Sequence, residues 1–192
     1  MKRTIRTILA SAVILLGAAK VMATEEAAYR VVEKEDPFEL RDYAPCIRAE
    51  ILVEGTLEEA GSKAFRPLFR YISGENQTNG HMAMTSPVEQ QRAQDRWAVS
   101  FMMPAAYTLE KLPQPENPAI TLRQVPARRV AAVRYSGSWS EKSYLRSKLE
   151  LEAWMRVRGF KAAGDAVWAR YNPPFTPWFL RRNEILIPVD VK

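Results

Sequence analysis

The sequence predicts an α+β fold in which two ββαββ units, related by duplication, form a distorted antiparallel β-barrel flanked by two helices. Three observations predict it. Two helix-length patterns, one beginning near Leu57 and one near Ser140, are each preceded and followed by pairs of short alternating segments. The same signal announces both helices, Gly55-Thr56 with Glu59 and Gly137-Ser138 with Glu141, a hydroxyl followed three residues later by a carboxylate. Between the halves, about residues 29–103 and 119–190, Pro104, Pro113, Pro115 and Pro118 mark a connection without regular structure.

Each element has its own warrant. Residues 29–33 and 38–43 flank a turn at Asp36-Pro37, and the second of them alternates apolar with polar side chains, as a half-buried strand does. Pro45 interrupts, and residues 46–53 alternate again. Thr56 can satisfy a free amide of the first helical turn while Glu59 reaches back to the cap, so a helix starts at Leu57 and runs to about residue 73. Leu57, Ala64, Phe65, Leu68 and Ile72 share one face of it. Pro67 lacks an N–H and predicts a kink. After a polar turn, strands are expected at 81–89 and 97–103, joined by a hydrophilic hairpin over 90–96. The second half repeats the plan, with strands at 119–124 and 129–135 and a helix over 140–158 ended by Gly159. Strands at 165–171 and 183–189 follow, separated by a proline-rich loop containing Phe175 and Trp178.

The first 23 residues read as a bacterial secretory signal: a basic start, an apolar run from Thr7 to Ala19, and small residues ending at Ala23. A periplasmic location is therefore expected for a single mature domain, residues 24–192. Lys20 inside the cleavage region leaves an uncleaved inner-membrane anchor as the alternative. No later stretch is long and apolar enough to span a bilayer. Lys2, Arg3, Arg6 and Lys20 are four of the 28 basic residues, so cleavage lowers the formal charge from +6 to +2. The basicity belongs mainly to targeting and gives no support for a nucleic-acid partner. Cys46 is the only cysteine and His81 the only histidine, which excludes an internal disulfide and argues against structural zinc.

On the first helix, Lys63, Arg66 and Arg70 gather opposite the apolar face, and Phe69 lies on the border between the two. Aromatic surface beside guanidinium groups suits a flat apolar ligand with anionic arms. No nucleophile–base pair, phosphate loop or dinucleotide fingerprint is legible, so no catalytic residue is assigned.

Several segments carry a more specific signal. They are Met82-Ala83-Met84-Thr85-Ser86-Pro87-Val88, Phe101-Met102-Met103-Pro104 with Tyr107, and Leu112-Pro113-Gln114-Pro115. Tyr171-Asn172-Pro173-Pro174 and Arg181-Arg182-Asn183-Glu184 complete the set. Together they resemble the SOUL/haem-binding protein family over about residues 29–189. The resemblance implies the duplicated barrel read above, and kinship with bacterial effector-binding domains that hold flat hydrophobic drugs. It also implies reversible, non-covalent binding of haem or a related tetrapyrrole in a shallow cleft beside the first helix. By position, the cleft comprises Phe65, Arg66, Leu68, Phe69 and Arg70, with the cations meeting propionates. The Phe175–Trp178 loop would close its other side. Pro67 stands one position from the family's usual helix proline, and Thr176 replaces a lysine of some members.

Other residues admit two readings each. His81 is either an axial haem ligand or a solvated residue at a strand start. Met82, Met84, Met102 and Met103 are either thioether ligands or core. Glu184 is either a pocket carboxylate, able to meet a cationic ligand or act as an acid, or the ion-pair partner of Arg181 or Arg182. The expectation is a monomeric, non-enzymatic haem binder for buffering or transport. The alternative is a binding protein or hydrolase for another flat hydrophobic molecule, using Glu184.

Overall fold

The computed structural model describes residues 24–190; the predicted leader and its cleavage point lie outside the described residues. Eleven strands and two α-helices follow in the order β1 (Glu25–Glu26), β2 (Tyr29–Glu35), β3 (Phe38–Tyr43), β4 (Cys46–Val53), α1 (Leu57–Ile72), β5 (Thr85–Ser86), β6 (Val88–Ala93) and β7 (Arg96–Met102). The second half contributes β8 (Ile120–Val125), β9 (Arg128–Tyr135), α2 (Glu141–Arg158), β10 (Val167–Arg170) and β11 (Asn183–Pro188). Nine strands form one antiparallel sheet in the order β2-β3-β9-β11-β10-β6-β7-β4-β8, while β1 and β5 pair in parallel on their own. Among the described residues β2 and β8 do not pair with each other, so the barrel is open along one side. No described helix is long and apolar enough to cross a membrane.

That strand order carries the duplication. Without the extra edge strand β2, it reads 3-9-11-10 from one end and 8-4-7-6 from the other. The ββαββ units are thus β3-β4-α1-β6-β7 and β8-β9-α2-β10-β11, equivalent about an axis between β10 and β6. Each unit places its first strand beside the second strand of the other: β3 pairs with β9, and β8 with β4.

The cap on α1 forms as its sequence dictates. Glu59 N–H donates to Thr56 Oγ1 at 3.3 Å, and Thr56 N–H donates to Glu59 Oε2 at 3.2 Å. The helix continues through Pro67 to Ile72. The matching signal in the second half is not used. α2 is capped by Ser140, whose hydroxyl accepts from Ser143 N–H at 3.4 Å, and Glu141 is its first helical residue. Ser138 is therefore no cap. Glu141 N–H, free at the helix start, instead takes Glu58 Oε1 of α1 at 2.7 Å. Gly159, at φ 73°, ends α2 in the left-handed conformation that glycine adopts without strain.

Both helices pack on one face of the sheet, α1 over β4 and β7 and α2 over β9 and β11. Leu68, Tyr71, Ile72, Val99 and Phe101 form the core under α1; Leu151, Trp154, Trp168 and Ile185 form the core under α2. Met82 and Met103 are buried in the first of these and Met84 packs against it, so they are filling. The predicted strand from residue 81 begins only at Thr85, and the hairpin tip is reduced to Gln94-Asp95.

Candidate functional site

The 3.6-residue period of α1 sends Ala64, Leu68 and Tyr71 down onto the sheet, and leaves Phe65 and Phe69, one turn apart, on the flank. Phe65 is 38 % exposed and Phe69 47 %, and their rings stack with centroids 5.8 Å apart and planes 11° from parallel. Phe101 of β7, itself buried, supports Phe65 edge-on at 5.3 Å. The two rings form an apolar ledge open to solvent.

Leu68, placed in the cleft by the resemblance, is wholly buried at 0 % exposure and cannot touch a ligand. Its register on the helix, four residues after Ala64, points it into the core. Phe65 departs from its expected place in the opposite sense, lying on the flank instead of in the apolar face.

The cations border the ledge. Arg66 and Arg70 are exposed. Arg70 Nε lies 3.4 Å from Glu75 Oε1, both groups in solvent, and Arg66 has no ion-pair partner among the described residues. Lys63 turns back to Glu59 and to the Glu54 carbonyl. Phe175 (85 % exposed) and Trp178 (62 %) sit on the β10–β11 loop, where Trp178 packs edge-on against Phe179. Among the described residues no aromatic pair joins the two sets of rings. A chain of contacts does link the loop to the α1 side. Arg181 donates to the Thr176 and Pro174 carbonyls at 2.8 Å each and lies over the Trp139 ring; Arg170, against Gly61 of α1, lies over that ring too.

His81 is exposed beyond the last turn of α1, beside Gly74. Among the described residues no group of histidine, cysteine, aspartate and glutamate side chains could hold a metal ion.

Glu184 lies on the opposite face of the sheet, fully buried, at the floor of an open cavity of about 600 Å³ rimmed by Phe179 and Leu180. Its carboxylate is saturated. Arg41 donates at 2.6 and 3.2 Å, Tyr171 Oη at 3.0 Å and Arg182 Nε at 3.0 Å. Burial alone would push its pKa up, but Arg41, Arg182 and Tyr171 together hold it below the usual carboxylate range. It is an ionised carboxylate in a mixed cluster, since Arg41 also meets Glu39 at 2.8 Å and Arg182 also meets Glu26 at 2.8 Å. With its oxygens taken by Arg41, Tyr171 and Arg182 and its proton lost below the usual range, the carboxylate is poorly placed to donate a proton or to receive a cationic ligand, which counts against both pocket readings of Glu184. The predicted partner Arg182 is present, Arg181 is engaged elsewhere, and the main partner, Arg41, lies 143 residues away in sequence. A second buried pair, Arg48 with Glu89, occupies the same face. Alternation on β3 carries the one available signal for Arg41: Leu40 faces the helices, so its neighbour faces away.

Against this geometry stand the comparisons with known proteins. The family model described as SOUL heme-binding protein matches residues 24–188. No curated protein matches the chain. Among solved structures it is similar to the EcmrR C-terminal domain, with a TM-score of 0.61 and 13 % identity over 85 % of this chain and 99 % of that one. It is also similar to a hydrolase from Listeria innocua, with a TM-score of 0.57 and 12 % identity over 83 % of this chain and 94 % of the other. At such identities the likeness shows a shared fold alone.

Proposed function

The chain belongs to the SOUL haem-binding protein family, and from that premise we propose that it binds haem or a related tetrapyrrole reversibly on the Phe65–Phe69 ledge, in the periplasm, for buffering or transport. The carrying observation is the stacked, solvent-open ring pair held on a buried Phe101. A flat macrocycle laid on it removes apolar surface from water on both sides, at about 25 cal/mol per Å². Aromatic stacking adds to that.

Arg66 and Arg70 orient the propionates. Arg66 has no competing carboxylate among the described residues. The exposed Arg70–Glu75 contact belongs to a class worth about 0–1 kcal/mol, so a propionate can displace it. Phe175 and Trp178 form the second wall, a role supported by their exposure and by the Trp139 contacts that tie their loop toward α1. The ligand is held without a covalent bond, and His81, past the end of the helix, is not required as an axial ligand.

Titration of the mature protein with hemin, followed at the Soret band, tests the reading. Phe69→Ala and the double substitution Arg66→Glu with Arg70→Glu are expected to weaken binding, while His81→Ala leaves the band position unchanged. Unaltered affinity after Phe65→Ala and Phe69→Ala together would remove the ledge as the site.

A further inference from the structure

Arg170 differs from the buried arginines Arg41 and Arg48, which each meet a carboxylate. It closes β10 and reaches to the helix side of the sheet, where its guanidinium lies over two indole rings, Trp168 at 4.9 Å and Trp139 at 5.3 Å. No carboxylate pairs with it among the described residues. Among the described residues its guanidinium makes one hydrogen bond, from Nη2 to the Gln90 side chain, at 3.2 Å. Nε is buried and makes no hydrogen bond. Nη1 has no partner among the described residues either, and it is not sealed from solvent.

A buried arginine ordinarily sits with an anion, because desolvating an unpaired charge is costly. Burial pushes this guanidinium down to about 10, with Tyr135 offsetting part of the effect, so it is still a cation at neutral pH. The chain makes room for it at a cost. Gly61 lies inside α1, where glycine is a poor helix former, and a Cβ there would stand 2.5 Å from Arg170 Nη2 and 2.6 Å from Nη1.

The notch at Gly61 also fixes where the charge lies relative to the ledge. Gly61 and Phe65 are neighbours at i and i+4 on one face of α1, about 6 Å apart along the axis. Trp139 connects the same guanidinium to Arg181 and the Phe175–Trp178 loop. The cation therefore lies one helical turn from Phe65, and through Trp139 it shares a contact with Arg181, which holds the Phe175–Trp178 loop.

We propose that Arg170, presented through the Gly61 notch, is the receptor for a carboxylate of the bound ligand, which makes the site selective for tetrapyrroles bearing free acid groups. The inference rests on the ledge reading and names a contact within it. Arg66 and Arg70, on the solvent side of the helix, then steer the ligand, and Arg170 holds it through a charge-assisted bond formed out of bulk water.

The test compares hemin with hemin dimethyl ester, whose arms carry no charge, by Soret titration of the mature protein and of Arg170→Gln, Arg170→Lys and Gly61→Ala. Hemin is expected to bind the wild-type protein about ten- to a hundredfold more tightly than the ester, the range of a hydrogen bond to a charged group. Arg170→Gln and Gly61→Ala shrink that difference by weakening hemin alone, leaving the share that Arg66 and Arg70 contribute, and Arg170→Lys retains more of it. Equal affinity of the two ligands for the wild-type protein would overturn the assignment, and needs no variant to fold. A preference for hemin that Arg170→Gln leaves undiminished would overturn it as well. If neither ligand gives a saturable change with the wild-type protein, the ledge reading fails and the assignment falls with it.

Discussion

Arg41 closes on Glu184 with both terminal nitrogens, at 2.6 and 3.2 Å, and so ties β3 to β11 across the intervening β9. Both side chains are buried, at 3 % and 0 % exposure. Glu184→Gln removes the buried counter-charge of the Arg41 terminal nitrogens, leaving Arg41 only Glu39 at 2.8 Å from Nε, and is expected to lower stability by about 3 kcal/mol, the low end of the range for breaking a buried pair. Urea unfolding at pH 7 measures this. Adding Arg41→Met to Glu184→Gln should cost less than the two single changes summed.

The same carboxylate sets an acid limb. Its folded pKa lies below the ordinary value of 4.5, so below that pH the unfolded chain binds the proton first. The stability it provides is complete above 4.5 and is lost as pH falls toward the folded value. Unfolding free energies at pH 7, 4.5 and 3.5 should therefore decline on the acid side. The decline should be shallower in Glu184→Gln, since one contributing group is gone while other carboxylates still titrate.

Leu68 and Phe69 are adjacent in sequence and opposite in consequence. Leu68→Ala opens a cavity in the core and is expected to cost about 2–5 kcal/mol. Phe69, half in solvent, should cost well under half of that on truncation, while hemin affinity falls. Thermal unfolding and Soret titration on both variants separate the two roles.

Helix starts give a third pair. Thr56→Ala removes a realised capping box and Ser140→Ala a realised cap, each worth about 1 kcal/mol. Ser138→Ala, though it alters the residue that matches Thr56 in the repeated signal, should change stability by less than about 0.5 kcal/mol. Denaturant midpoints for the three variants decide the point.

What the sequence made legible was local. Alternation located β3 and β4, and the Thr56–Glu59 spacing located the start of α1 to the residue. Ser138 misled because Gly-Ser-x-x-Glu also fits a turn that stops short, with the real cap two residues on. Glu25–Glu26 and the turn at Trp178–Leu180 were too short to carry a period. The ledge was half legible: Phe69 stood on the border of the apolar face, but whether Phe65 turned in or out depended on Phe101, a residue of β7. Alternation on β3 set Arg41 on the face away from the helices, but its partner Glu184, like those of Arg170, is long-range and has no spacing to betray it. Gly61 was the one available hint for Arg170, a glycine inside a helix marking a close approach.

The exchange of first strands between the halves has a consequence for how such a molecule can be divided. Cut at the proline-rich connection, the C-terminal piece would carry β8 with no neighbour to bond it, and its β9 would show the flank that β3 now covers. Each fragment is a lock missing the bolt that its sister holds. Two identical pieces could supply one another about the same axis, the β8 of each lying where β3 now lies against the β9 of the other.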